Sequence, residues 1–172
     1  MKDAVSIWPT VWKFGLIIAG FRIVYSLLLY VTGFAGTFGT GVVAFLGSLA
    51  LLVVALKSFR GRNGDYMSFG QAFGIGFLTA TIATVARAIV DTIYLATAGQ
   101  EFLATQRDEL INQMTASPGM DPQALEMIVG FMDVLFTPAG MLIAAICSGI
   151  IGWTVVSLIV AAVMKHPRPV LA

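Results

Sequence analysis

The chain alternates between long apolar runs and shorter polar segments, and four of the runs are long enough to cross a lipid bilayer. A transmembrane helix needs about 20 predominantly apolar residues. The runs are continuous, whereas the strands of a membrane β-barrel alternate over about ten residues. The pattern therefore predicts an all-α polytopic membrane protein with four transmembrane helices. The predicted spans are residues 9–33, 40–56, 68–98 and 137–164.

The segment 99–136 differs in kind, because charged residues interrupt it throughout. Its first half places these apolar residues near one helical face: Phe102, Leu103, Leu110, Ile111 and Met114. Ser117-Pro118-Gly119 breaks this pattern, and Asp121-Pro122 supplies the N-cap and first-turn residues of a second helix. The apolar side of that helix consists of Ala124, Leu125, Ile128, Met132 and Leu135. We therefore expect an amphipathic helical hairpin that lies on the membrane surface or caps the bundle.

Short motifs predict where the helices begin and end. Ser68 followed by Gln71 is a capping-box pattern, and Thr137-Pro138 is a cap followed by a first-turn proline. Asn63-Gly64 predicts a turn within a basic loop, residues 57–65. The prolines after His166 end the last span and place this histidine at a frayed helix end.

Composition supports the membrane class, and the distribution of charge predicts the topology. The chain is 58% hydrophobic and 11% charged, with a mean hydropathy of +0.91, whereas soluble domains carry about 25% charged residues. Seven of the ten Lys and Arg lie at the termini or in the basic loop: Lys2, Lys13, Lys57, Arg60, Arg62, Lys165 and Arg168. The 99–136 segment has one basic residue, Arg107, against six acids: Glu101, Asp108, Glu109, Asp121, Glu126 and Asp133. The positive-inside rule then predicts cytoplasmic termini, a cytoplasmic basic loop and an extracytoplasmic hairpin.

Besides Lys13 near the start of the first span, three charged residues lie inside the predicted spans: Arg22, Arg87 and Asp91. A charge at the bilayer centre costs at least about 2.5–3.5 kcal/mol on insertion scales, so such residues usually face the protein interior. Arg87 and Asp91 are four residues apart on one helical face, so each can compensate the other. In a functional interpretation they line a polar path or bind a substrate headgroup. In a structural interpretation they form a self-satisfied pair, or Asp91 also holds Arg22 across the helices. We favour the structural interpretation, and for Arg22 we expect an internal partner rather than a headgroup.

Small residues recur every four positions along the third and fourth spans. The row on the third span is Ala72, Gly76, Ala80, Thr84, Ala88, Thr92 and Ala96, and the row on the fourth is Gly140, Ala144, Ser148 and Gly152. Such rows let helices approach closely, and we favour contact within the chain over a homodimer seam. The single cysteine, Cys147, lies in an apolar run, and we expect it to be a small buried packing residue.

Two stretches carry a family resemblance. SFGQAFGIGFLTATIAT (Ser68 to Thr84) and SGIIGWTVVSLIVAAVMKHPRP (Ser148 to Pro169) resemble the DUF4199 family of small bacterial membrane proteins, and the first stretch is the more specific match. The resemblance implies four spans with a helical extramembrane segment before the last, in a bacterial cytoplasmic (inner) membrane. It supplies no catalytic or ligand residues.

The motifs of common enzyme classes are missing from the sequence. It has no HExxH, no G-x-S-x-G and no P-loop, and His166 is its only histidine. We therefore expect a non-enzymatic protein with no cofactor, no metal and no nucleic-acid partner. We interpret residues 1–172 as a single transmembrane domain that serves as an accessory or scaffold component. Its expected partners are the lipid bilayer, another membrane protein or a second copy of the chain.

Two other functions stay open at this point. One is a small oligomeric transporter or channel with Arg22, Arg87 and Asp91 along its polar path. The other is a lipid-binding or membrane-stress protein that works through its outer amphipathic helices.

Overall fold

The structure is a computed structural model, and it describes residues 5–116 and 121–167. These residues form six α-helices: α1 (Trp8–Thr32), α2 (Phe38–Arg62), α3 (Phe69–Thr97), α4 (Gln100–Thr115), α5 (Pro122–Leu135) and α6 (Pro138–Met164). The predicted all-α class is therefore confirmed. Helices α1, α2, α3 and α6 are long and apolar enough to cross a membrane, which confirms the four predicted spans.

The predicted helix starts are confirmed by their capping hydrogen bonds. The Ser68 N–H donates to Gln71 Oε1 at 2.9 Å, and the Gln71 N–H donates to Ser68 Oγ at 3.2 Å. This reciprocal pair satisfies two backbone donors at the start of α3. The Asp121 carboxylate accepts the Gln123 N–H at 3.1 Å at the start of α5. The predicted break at Ser117-Pro118-Gly119 lies outside the described residues.

Helix α2 is longer than the predicted span and includes most of the predicted basic loop. It continues to Arg62 because Phe59, which stands among the charged residues, is fully buried in the core. The turn then falls at the predicted place, with φ of 68° at Gly64 and 66° at Asp65. Glycine adopts this left-handed conformation at no steric cost, and Asp is among the few other residues that tolerate it.

The segment after α6 is held against the start of α3, so the prediction of a frayed end at His166 is wrong. The His166 N–H donates to the Met67 carbonyl at 2.7 Å, and the Met67 N–H donates to the His166 carbonyl at 2.8 Å. The two residues form an isolated antiparallel bridge. Met67 itself is fully buried, so this bridge is anchored in the core.

The described residues divide into two compact units. The bundle unit contains residues 5–87 and 147–167, and the hairpin unit contains residues 88–116 and 121–146. All four apolar helices contribute to the core of the bundle unit. One of its clusters contains Val11, Leu56, Phe59, Met67, Ala72, Ile75 and Ala161. The other contains Ile18, Ala19, Leu52, Ala80, Ala83 and Trp153. The single-domain interpretation stays a prediction.

The hairpin unit pairs α4 with α5. The residues that the sequence placed on the apolar sides of these two helices are buried or partly buried, which confirms the amphipathic pattern. Arg107 Nε on α4 donates to Asp133 Oδ1 of α5 at 2.9 Å. This ion pair therefore links the two helices beside their apolar contact.

Candidate functional site

The small residues of α3 set the register in which α6 packs against it. A Cβ added at Gly76 would lie 3.1 Å from Ser157 Oγ, and one added at Gly149 would lie 2.5 Å from Thr84 Cγ2. These two contacts are eight residues apart on each helix, so they belong to one antiparallel register. Ala80 lies midway between them on α3 and shares a core cluster with Trp153, the midway residue of α6. The predicted small-residue row of α3 therefore packs within the chain.

Arg22 lies at this α3–α6 seam, near the middle of α1. Its Nη1 donates to Thr84 Oγ1 at 3.4 Å, and its guanidinium carbon is 5.8 Å from the centre of the Trp153 ring. Thr84 is 4% exposed and Trp153 is 9% exposed. A hydrogen bond and a cation–π contact replace part of the solvation that a membrane-depth guanidinium loses. The prediction that Arg22 has an internal partner is confirmed.

The sequence did not predict the contribution of Trp153. The predicted small-residue row of α6 contained Ser148 and Gly152, whereas the residues that contact α3 lie one position further along the chain, at Gly149 and Trp153. The buried residues of α6 are Trp153, Ser157 and Ala161. In the predicted row, Ser148 and Gly152 are exposed, and a Cβ at Gly152 would meet nothing within 4 Å. Nearly every residue of α6 is apolar, so its hydrophobic pattern does not indicate which side of the helix is buried. The i, i+4 spacing of Gly149, Trp153 and Ser157 was the signal available.

Cys147 is exposed, so the prediction that it is buried is wrong. The reason is again the phase of α6, because Cys147 lies on the side of the helix that also exposes Ile143, Ile151 and Ser148. On a helix that crosses a membrane, this exposed side faces lipid.

Arg87 and Asp91 lie on consecutive turns of α3, and both side chains are partly buried. Each takes part in at least one specific interaction, so neither side chain is without a partner. Ala88, between them on the helix, is 3% exposed. Their assignment as a structural pair, and an additional contact from Asp91 to Arg22, stay predictions.

Two hydroxyl groups in the bundle unit are buried without a hydrogen-bond partner among the described residues. They are Thr79 Oγ1 on α3 and Ser157 Oγ on α6. Ser157 lies against Gly76, since a Cβ added at that glycine would be 3.1 Å from Ser157 Oγ. Ser48 is equally buried, but its hydroxyl donates to the Ala44 carbonyl at 2.7 Å. The unpaired Ser157 hydroxyl is therefore a local cost that the close packing tolerates.

The basic end of α2 is held by specific polar contacts. Arg60 Nε donates to Asp65 Oδ1 at 2.8 Å, and Arg60 Nη2 donates to Asp65 Oδ2 at 3.2 Å. This hydrogen-bonded pair, together with the positive charge of Arg60, lowers the pKa of Asp65 below its ordinary value. Arg62 donates to the buried hydroxyl of Thr10, which connects α2 to the first turn of α1.

The exposed side of α4 presents a row of polar groups to solvent. Six residues with helical spacing line an open cleft of about 670 Å³: Thr105, Asp108, Glu109, Asn112, Gln113 and Ala116. Two carboxylates and two carboxamides dominate this surface. Such groups suit a partner that offers positive charges or hydrogen-bond donors.

Comparison with known proteins gives one family. The family model described as protein of unknown function (DUF4199) matches residues 13–166 of the 172-residue chain. No curated protein and no solved structure matches the chain. The matched residues include Arg22, Thr84 and Trp153, so the polar site at the α3–α6 seam lies within the family's extent. Because the match covers most of the sequence, the chain belongs to the DUF4199 family.

Proposed function

We propose that the protein is a non-enzymatic accessory or scaffold component of a bacterial cytoplasmic membrane, which holds a partner membrane protein through its α4–α5 hairpin. The observation that carries this proposal is that Arg22 is held by contacts within the helix bundle. Its guanidinium is bound by Thr84 and Trp153 where α1, α3 and α6 meet. A charge used in this way stabilises helix packing, whereas a charge that serves transport must exchange partners with a moving ion or solute.

Specific contacts within the bundle unit hold α3 and α6 together. Close contacts at Gly76 and Gly149 fix the register of α3 and α6. The bridge between Met67 and His166 holds the end of α6 to the start of α3. These contacts limit relative sliding of α3 and α6 within the bundle unit.

The partner is expected to meet the polar side of α4. Asp108, Glu109 and Asn112 are exposed there on consecutive turns. A partner surface with lysine or arginine side chains complements them, and such charge complementarity favours specific association. A scaffold of this kind requires no reaction at the bound surface.

The proposed orientation follows from the ends of the helices. Arg60 and Arg62 lie in the last turn of α2, and Lys165 follows α6. The positive-inside rule puts these ends, and with them both termini, in the cytoplasm. The hairpin then lies outside the cytoplasm, where its six acids carry no topological penalty.

Photo-crosslinking in native membranes tests the proposal. A photoreactive amino acid is introduced at Glu109 and, as a control, at Val24, which is 59% exposed on α1. We expect a stoichiometric adduct with one heterologous protein from position 109 and none from position 24. The variant Asp108→Lys should reduce that adduct, because it reverses a charge of the same surface. Only self-adducts from position 109, or equal heterologous adducts from both positions, would contradict the proposal.

The second candidate is a small oligomeric transporter or channel. It is favoured by the partial burial of Arg87 and Asp91, two ionisable groups within one apolar helix. The discriminating variant is Asp91→Cys in a Cys147→Ala background, since Cys147 is exposed and must be removed. Rapid labelling of position 91 by a membrane-impermeant thiol reagent would support an aqueous path, and protection would support the accessory function.

A further inference from the structure

Helix α5 carries an apolar surface that the fold leaves uncovered. Met127, Phe131 and Val134 are 75%, 62% and 67% exposed. Their spacing of four and three residues puts them on one side of the helix, which we term the α5 apolar face. The partly buried apolar residues of α5, such as Ile128 and Leu135, occupy a neighbouring side. Apolar residues therefore extend beyond the side of α5 that the hairpin contact uses.

The end of α5 is fixed to the first turn of α6. The Thr137 hydroxyl donates to the Val134 carbonyl at 2.7 Å and accepts the Gly140 N–H at 3.0 Å. A Cβ added at Gly140 would lie 2.7 Å from the Leu135 carbonyl oxygen, so only glycine permits this approach. Two residues separate α5 from a helix that is apolar enough to cross a membrane. The α5 apolar face is therefore held beside the point where α6 begins.

We infer that the α5 apolar face inserts into the lipid interface, so that α5 lies as an interfacial helix beside the start of α6. An amphipathic helix in this position buries its apolar side about 5–10 Å into the boundary between headgroups and acyl chains. Ile143, which follows on α6 in the same unit, is also exposed, at 63%. The occupant of the α5 apolar face is thus the lipid that also surrounds α6.

The size and charge of the surface identify the occupant further. Three side chains fall short of the roughly 800 Å² per partner that a stable protein interface buries. A second copy of the chain is therefore a poor occupant. Glu126 and Asp133 are carboxylates that flank the face. Arg107, the basic residue of the segment, pairs with Asp133 and is therefore not available to bind an anionic headgroup. Neutral zwitterionic phospholipid fits these neighbours better than anionic lipid, which the carboxylates repel.

Spin labelling of the full chain in phosphatidylcholine vesicles tests this inference. In a Cys147→Ala background, a nitroxide is attached at Phe131→Cys and, as a control on the same helix, at Glu126→Cys. We expect the label at 131 to be shielded from a water-soluble nickel complex and accessible to oxygen, at a depth of about 5–10 Å. The label at 126 should be accessible to nickel. Equal nickel accessibility at both positions overturns the inference.

A second position guards against disturbance of the fold. Met127 is the most exposed of the three residues, so Met127→Cys removes few contacts and should report the same depth as position 131. Strong spin–spin broadening at both positions would show a second copy on the α5 apolar face and would overturn the inference. Purified protein in vesicles contains no partner protein, so this result does not depend on the proposed partner of α4.

Discussion

Gly149 of α6 lies so close to Thr84 of α3 that a Cβ at position 149 would come within 2.5 Å of Thr84 Cγ2. The same threonine accepts the hydrogen bond from Arg22 Nη1. The close approach of two helices and the binding of a membrane-depth cation thus depend on one side chain. The polar site of the bundle unit is consequently a part of its packing.

The first prediction concerns this close approach. Gly149→Ala should lower the free energy of unfolding by about 1–3 kcal/mol, the usual cost of overpacking a well-packed site. Unfolding in mixed detergent micelles, followed by circular dichroism, measures the change. Gly152→Ala is the matched control, because a Cβ there meets nothing within 4 Å and alanine is the better helix former. Equal destabilisation by both substitutions would contradict the register.

The second prediction concerns the bond between Arg22 and Thr84. Thr84→Val removes the acceptor while keeping the shape of the side chain, and Arg22→Met removes the charge. A double-mutant cycle of these two changes should give a favourable coupling energy of about 0.6 kcal/mol and at most about 1.7 kcal/mol, the range found between membrane helices. Strictly additive effects would show that this hydrogen bond contributes nothing to stability.

The third prediction concerns the unpaired hydroxyl of Ser157. Ser157→Ala should leave the free energy of unfolding unchanged or raise it, because it removes a buried polar atom that has no partner among the described residues. Ser48→Ala is the comparison, since Ser48 is equally buried but its hydroxyl is bonded to the Ala44 carbonyl. That variant should lose about 1 kcal/mol. A larger loss for Ser157→Ala than for Ser48→Ala would be evidence against the prediction.

The spans and helix caps were predictable from the sequence, but for some helices the side or the residues that are buried were not. Ser68 and Gln71 identify the start of α3 because a capping box is a local interaction. Phe59 extends α2 beyond its apolar run, and only the packed core shows that this phenylalanine is buried. On α6 the apolar residues surround the helix, so Ser148 and Gly149 are equally plausible contact residues until α3 is placed against them.

Only part of the candidate site could be predicted from the sequence, because apolar side chains do not reveal which neighbours they contact. Arg22 is conspicuous, because a charge within an apolar span requires compensation. Trp153 resembles its apolar neighbours in the sequence, and its role emerges only when α1 and α6 meet. The exposure of Phe131 on α5 could not be predicted, because an apolar side chain that faces lipid gives the same sequence pattern as one that faces a protein core.

The fourth prediction concerns pH. Arg60, through its hydrogen bond and its charge, lowers the pKa of Asp65 in the folded protein. The contribution of this pair to stability is therefore complete above the ordinary Asp pKa of about 3.9 and is lost as the pH falls through the lowered pKa of the folded state. Unfolding measured between about pH 6 and about pH 2 should show a smaller loss of stability in Asp65→Asn than in the wild type. Asparagine tolerates the positive φ of this position, so the backbone is preserved. Parallel pH profiles would contradict the assignment.

The most direct test of the central claim, that the intramembrane charge serves packing, is water access to Thr84. Thr84→Cys in the Cys147→Ala background is treated in vesicles with a membrane-impermeant thiol reagent, with Thr105→Cys on the exposed side of α4 as the matched control. We predict rapid labelling at position 105 and protection at position 84, because Thr84 is 4% exposed and packed against Gly149. Labelling at position 84 at a rate close to that at position 105 would show an aqueous path beside Arg22. It would favour the transporter or channel over the accessory function.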